Sequence, residues 1–159
     1  MRKNGKGFVT MDSKEIEACI HEHIPLSKTM EVQVRSVSGD TVVLEAPIEP
    51  NINHRETVLG GSASALAILA AWCLLYTCLR GEGVGGRIVI RKNTMKYTKP
   101  IDGPFRAIAV APKPSEWQRM VAMLMRGRMA RMLVKATLEC NEVQVGEFAG
   151  EFVVLVPRV

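Results

Sequence analysis

Val58-Leu-Gly-Gly-Ser-Ala-Ser-Ala-Leu-Ala-Ile-Leu-Ala-Ala-Trp-Cys-Leu-Leu-Tyr-Thr-Cys-Leu79 is a run of twenty-two residues without a formal charge. Asn51-Ile52-Asn53-His54 precedes it as a dense polar stretch, and Arg80-Gly81 closes it. An uncharged helix of this length can cross a bilayer or form the buried axis of a domain. Within it, Gly60, Ser64, Ala67, Ala71 and Cys78 make a small-residue side, while Ile68, Trp72, Leu75 and Leu79 make a bulkier one. Small residues let a helix approach a sheet closely, and the bulky side is expected to fill the remaining volume. Transmembrane helices also use small faces, so the context has to decide. Arg55 and Arg80 flank the run on both sides and give little orientation signal.

The flanks read as elements that would wrap such a helix. Asp12 and Glu15 fit a capping box, and Ile16, Cys19, Ile20 and Ile24 recur at helical spacing until Pro25 stops the run. Met30, Val32 and Val34 alternate with polar residues, as do Val42, Leu44 and Ala46, and Ser38-Gly39-Asp40 turns between them. Beyond the long run, Gly81, Gly83, Gly85 and Gly86 end the helix. Strands are expected from Ile88 to Tyr97 and from Phe105 to Ala111. Pro112 and Pro114 then end the strand, and Ser115 with Gln118 suggests a second capping box before the stripe Trp117, Met120, Val121, Leu124. Ala130 to Cys140 alternates most cleanly, Asn141-Glu142 is a turn, and Phe148 to Val156 is a last strand, with Gly146 and Gly150 placed for bulges or close approaches. The order is helix, two strands, long helix, two strands, short helix, two strands. It predicts an α+β class, with an antiparallel sheet around one apolar helix and no integral membrane span.

At 159 residues and 17.5 kDa the chain fits one domain over 12–159, behind a flexible basic tail at 1–11. A net charge of +5 attracts anions weakly, such as phosphorylated cofactors. The few scattered aromatics lack the basic interleaving of a nucleic-acid surface. Cys19, Cys73, Cys78 and Cys140 show no CxxC pairing and read as reduced, mostly buried thiols of a cytoplasmic protein. His21 and His23 point in different directions on a helix and make poor metal ligands.

Leu44-Glu-Ala-Pro-Ile-Glu-Pro-Asn-Ile-Asn-His-Arg-Glu-Thr-Val-Leu-Gly-Gly-Ser62 and Met95-Lys-Tyr-Thr-Lys-Pro-Ile-Asp-Gly-Pro104 carry a more specific signal. Over about residues 12 to 157 the chain resembles the hotdog fold, and within it the thioesterase domain found alone or fused to an acetyltransferase domain in bacterial proteins. The resemblance implies a curved antiparallel sheet around the long helix. It further implies a homodimer paired edge to edge, with acyl-thioester sites at the interface, and leaves a tetramer open. Many such enzymes carry an Asn or Asp before the helix, a His-Gly-Gly-like turn, and an acid on the opposing helix. Here Leu59 takes the usual His place, and no Asp or Glu follows Glu56 before Glu82. The usual carboxylate is therefore missing.

The remaining candidates follow from chemistry. Gly60 and Gly61 permit a tight helix start and present backbone N–H groups to a developing oxyanion. Asn53 can orient water or a carbonyl, His54 can take a proton near neutral pH, Glu56 is the nearest carboxylate, and Ser62 can polarise a carbonyl. Arg91, Lys92, Lys96 and Lys99 offer cations to coenzyme A phosphates or to an acidic acyl carrier protein, with Tyr97 at the acyl entrance. The expected activity is hydrolysis of acyl-coenzyme A or acyl-carrier conjugates, with no separate cofactor and no metal. Enoyl-thioester hydration and non-catalytic thioester binding are the alternatives on the same fold.

Overall fold

The computed structural model describes residues 2–3 and 9–157. Arg2–Lys3 (β1) and Val9–Thr10 (β2) pair antiparallel, so part of the stretch expected as a flexible tail is a short ladder. The rest of that expectation, residues 1 and 4–8, lies outside the described residues, as do 158–159.

The first helix, Ser13–His23 (α1), starts on its expected capping box: Glu15 N donates to Asp12 Oδ1 at 2.9 Å, and Asp12 N donates to Glu15 Oε2 at 3.2 Å. Ile16 and Ile20 are buried. Pro25 does more than stop this helix. It opens a second short one, Pro25–Thr29 (α2), at the first helical position, where its missing N–H costs nothing.

Six strands build the main sheet: Gln33–Val37 (β3), Thr41–Ala46 (β4), Arg87–Tyr97 (β5), Phe105–Val110 (β6), Ala130–Cys140 (β7) and Val143–Leu155 (β8). Their spatial order is β3-β4-β6-β7-β8-β5, antiparallel throughout. Asn141 and Glu142 both hold positive φ, 51° and 62°, which is the turn that matches the twist of a two-residue hairpin. Bulges near Val34, Ile90 and Leu138 bend the sheet.

The uncharged run is the helix Gly60–Gly81 (α3), about 33 Å long at 1.5 Å per residue. It carries the chain from β4 across the sheet to β5 and packs on β4, β5, β6, β7 and β8. By length and composition α3 could cross a membrane. In this fold the sheet takes that role of apolar surroundings, burying Ala63, Leu66, Ala67, Ala70 and Leu74 against it. The two-sided division expected from the sequence is corrected in part: Ile68 and Trp72 are only half-buried. With Ser64, Tyr76 and Arg80 they form the outward stripe at four-residue spacing, where Trp72 and Tyr76 stack at 4.8 Å.

A fourth helix, Pro114–Met125 (α4), buries Met120 and Leu124. The second capping box is absent. The helix begins at Pro114, so Ser115 lies inside the first turn and Lys113 occupies the cap position without a side-chain bond.

The two sheet edges differ. On β3, Val34 N donates to Glu17 Oε1 at 2.8 Å, and His21 Nε2 lies 2.8 Å from Val32 O. Residues one helical turn apart on α1 thus partner one backbone group of that edge and one just before it. The eleven-residue β5 forms the opposite edge, and no strand among the described residues pairs with its outer side.

Candidate active site

The chain between β4 and α3 is tied down by backbone and amide bonds. Glu49–Asn51 forms a 3₁₀ turn that carries Asn51 into the interior, 2% exposed. Its Nδ2 donates to Pro47 O at 2.8 Å and Met30 O at 3.1 Å, and its main-chain oxygen accepts from Leu59 N at 2.8 Å. Asn51 Oδ1 is buried with no partner among the described residues. Sequence reasoning gave Asn51 no role. Its one signal was a second Asn, two residues from Asn53, just before an extended connection.

Asn53 holds the next turn. Its Oδ1 accepts from Arg55 N at 2.8 Å and Thr57 N at 3.2 Å, while Nδ2 donates to Thr57 Oγ1 at 2.8 Å. This is an Asx-type turn closed by Asn53 N donating to Thr57 O at 2.8 Å and by the bridge between Ile52 and Val58. Most of the hydrogen-bonding capacity of the Asn53 side chain is spent in the loop. His54 and Glu56 stand exposed on the same turn, Glu56 at φ 62°. Arg55 Nε lies 3.4 Å from His54 Nε2, a long contact between neighbouring side chains. Val58 N donates to Ile101 O at 2.8 Å, which pins the loop to the turn before β6.

Leu59 takes the cap position of α3 at φ −59° and ψ 133° and supplies no side-chain acceptor. The first ladder bond of α3 runs from Ala63 N to Leu59 O at 3.1 Å. The N–H groups of Gly60, Gly61 and Ser62 therefore begin the helix without intrahelical acceptors, at its positive end. Neither glycine holds a positive φ. The tight helix start therefore needs no left-handed backbone, and a Cβ on Gly60 would make only an ordinary contact, 3.5 Å from Tyr97 Cζ and Oη. Tyr97, half-exposed at the end of β5, donates its O–H to Gly60 O at 2.9 Å.

The five residues expected to line a coenzyme channel do not share one face. Strand alternation places Lys92 and Lys96 opposite Tyr97. Lys96 borders a shallow concavity of about 400 Å³ on the outer sheet face with Lys135, Thr94 and Glu147. Arg91, at the bulge, donates to Glu151 Oε1 at 2.9 Å. Lys99 is exposed beyond the strand end. A further concavity, about 550 Å³, lies at the other end of α3 between Met11, Val37, Cys78 and Trp117.

A family model described as "Putative thioesterase (yiiD_Cterm)" matches residues 13–156. Among solved structures, a protein of unknown function from Chlorobaculum tepidum TLS is 30% identical, with a TM-score of 0.86 over 91% of this chain and 94% of that one. A "putative thioesterase" from Shewanella oneidensis is 24% identical, with a TM-score of 0.82 over 90% and 96%. A "Probable Thioesterase" from Pseudomonas aeruginosa is 17% identical, with a TM-score of 0.78 over 95% and 100%, and like the second shows the fold alone.

Proposed function

This chain belongs to the yiiD_Cterm thioesterase family of the hotdog-fold superfamily, and from that premise we propose that it hydrolyses acyl thioesters, on coenzyme A or a carrier protein, at the start of α3. The observation that carries the reading is the uncapped first turn: three successive N–H groups at Gly60, Gly61 and Ser62, beside a loop bearing an imidazole and a carboxylate. Such amides are stronger partners for the oxyanion of a tetrahedral intermediate than for a neutral carbonyl, and that difference lowers the barrier.

In the proposed reaction the thioester oxygen rests on the amides of Gly60 and Gly61, with the Ser62 hydroxyl beside it. His54 or Glu56 takes a proton from water, whose oxygen bonds to the carbonyl carbon. Collapse of the intermediate breaks the C–S bond, giving the carboxylic acid and a thiolate that takes up the proton. Asn53 keeps its place in this site as the residue that shapes the turn under His54 and Glu56. The coenzyme A or phosphopantetheine group enters only as part of the substrate. Of the expected cations, Lys99, exposed just beyond Tyr97, would meet its phosphates or an acidic carrier protein, while Lys92 and Lys96 face away from the site and Arg91 is paired with Glu151.

A homodimer belongs to the same proposal. The open β5 edge supports it, since α1 packs along the β3 edge and β5 ends at Tyr97 beside the site. Pairing across β5 would enclose each site between two subunits, in a cytoplasmic protein. The decisive experiment follows free thiol from a panel of acyl-coenzyme A chain lengths, with light scattering on the same sample. Turnover by a particle of twice 17.5 kDa is expected. Tight binding of thioesters without thiol release, or reversible hydration of an enoyl thioester in its place, would overturn the hydrolase reading.

A further inference from the structure

We propose that Tyr97 is a positioning residue whose phenol strengthens the oxyanion-binding N–H of Gly61 by acting on the other end of the same peptide group. The proposal rests on the hydrolase reading above and adds a residue from the edge strand to it. A peptide unit joins the carbonyl of one residue to the N–H of the next. The oxygen that accepts from Tyr97 Oη at 2.9 Å is that of Gly60, so the group it polarises carries the Gly61 N–H. Hydrogen bonds in series strengthen one another, by about 10–30% per bond. At Gly61 that gain falls on a donor with no intrahelical acceptor, aimed outward from the positive helix end.

The placement of Tyr97 is fixed from several sides. It pairs with Gly146 in the register of β5 and β8, and the following residue anchors the strand end through Thr98 N donating to Val145 O at 2.9 Å. Gly146 has no room for a side chain, because a Cβ there would stand 2.9 Å from Lys96 O. Gly60 likewise leaves its surface bare beneath the phenol ring. The edge strand and the helix start thus meet through one hydrogen bond and one glycine contact.

The size of the effect follows from the worth of the donor. One oxyanion donor contributes about 10²–10³ in kcat, and a 10–30% change in its strength scales to about a two- to eightfold change. The test is Tyr97→Phe, which keeps the ring over Gly60 and deletes only the O–H. Expected are a two- to eightfold fall in kcat with KM within about twofold, and an upfield move of the Gly61 amide proton in the NMR spectrum beyond that of Ala63. Incorporating a fluorinated tyrosine at position 97, with a stronger O–H donor, should raise kcat while the phenol stays protonated. A merely structural tyrosine would not produce that dependence on donor strength. An unmoved Gly61 amide overturns the proposal, as does an unchanged kcat in an enzyme that turns over. If the wild type releases no thiol from any thioester, the hydrolase reading fails separately, and the Gly61 shift alone decides whether Tyr97 polarises that amide.

Discussion

Replacing Gly60 by proline removes one proposed oxyanion donor and almost nothing else. Position 60 is the first helical residue of α3, so its N–H makes no ladder bond that proline would break. The preceding Leu59 already sits at φ −59° and ψ 133°, the extended region that a following proline demands. The added Cβ meets Tyr97 Cζ and Oη at 3.5 Å, an ordinary contact. Gly60→Ala adds that same Cβ while keeping the N–H, and is the matched control. Both variants restrict the unfolded chain, which stabilises a compatible site by about 0.4–1 kcal/mol, so neither should melt below the wild type. Loss of a single oxyanion donor costs about 10²–10³ in kcat, or about 2.7–4 kcal/mol of transition-state stabilisation. The assay is steady-state thiol release from the best acyl thioester, with circular-dichroism melts of all three proteins. Proline should lose about two orders of magnitude relative to alanine, with the larger part in kcat. A folded Gly60→Pro protein within about threefold of Gly60→Ala would refute the assignment of the Gly60 amide, since a donor of this class cannot be worth so little.

Three further outcomes test the frame around the site. Burial works against the Glu45 carboxylate, but hydrogen bonds from Arg106 at 3.0 Å and from Arg35 outweigh it and hold its pKa below the ordinary 4.5. The stability this gives is present above about pH 4.5 and is lost as pH falls through the lower folded value. Glu45→Gln should therefore cost about 0.2–1 kcal/mol in urea unfolding at pH 7, with the gap to the wild type narrowing as the pH falls below 4.5; a gap that stays constant into acid would contradict the ion-pair account. Gly146→Ala forces a Cβ to 2.9 Å from a backbone oxygen and 2.8 Å from Met95 Cε, and should destabilise by about 1–3 kcal/mol, whereas Gly39→Ala meets nothing within 4 Å and should be neutral or stabilising in the same melts. Burial raises the Cys78 thiol to about 11 and pushes Cys73 higher still. At pH 8 only about one Cys78 in 10³ is thiolate, so a disulfide reagent should leave both unreacted in the native protein and reach all four thiols in guanidinium. Rapid native labelling of Cys73 would mean that α3 is not packed as described.

The fold was legible because its signals are long and periodic. The uncharged run had to be covered on most of its surface, and strands on both sides of it in sequence offered the cover. Ala130 to Cys140 alternated strictly and became β7, with its even-numbered residues buried. Local punctuation was less reliable. Pro25 read as a stop, yet it opens a helix, since the same missing N–H that ends a helix is harmless at its first position; Pro114, expected only to end a strand, opens one too. The helix faces were partly misjudged because the sheet curves around α3 and leaves one stripe, through Ile68 and Trp72, half-exposed. Such curvature is a tertiary property with no local sequence signature.

At the proposed site, the sequence singled out residues but left their geometry open. Gly60-Gly61 was conspicuous, yet neither glycine turned out to need an unusual backbone, and the Gly60 carbonyl accepts from Tyr97, thirty-seven positions away. Asn53 was chosen for its chemistry and is largely consumed in its own turn, while Asn51 was passed over and is the one buried amide with an unmatched oxygen among the described residues. Side-chain polarity alone cannot separate these cases, because both asparagines sit in the same short polar run. What separates them is the path of the loop, which sends position 51 inward under Pro47 and position 53 along the surface. His54 and Glu56 lie exposed on that surface turn. A general base works best where water is excluded and its neighbours are fixed. The open β5 edge ends beside this same helix start, so a second subunit paired there is the element best placed to supply the missing enclosure. Under the proposed reading, the monomer would hold the oxyanion donors, and a dimer would complete the environment in which the base acts.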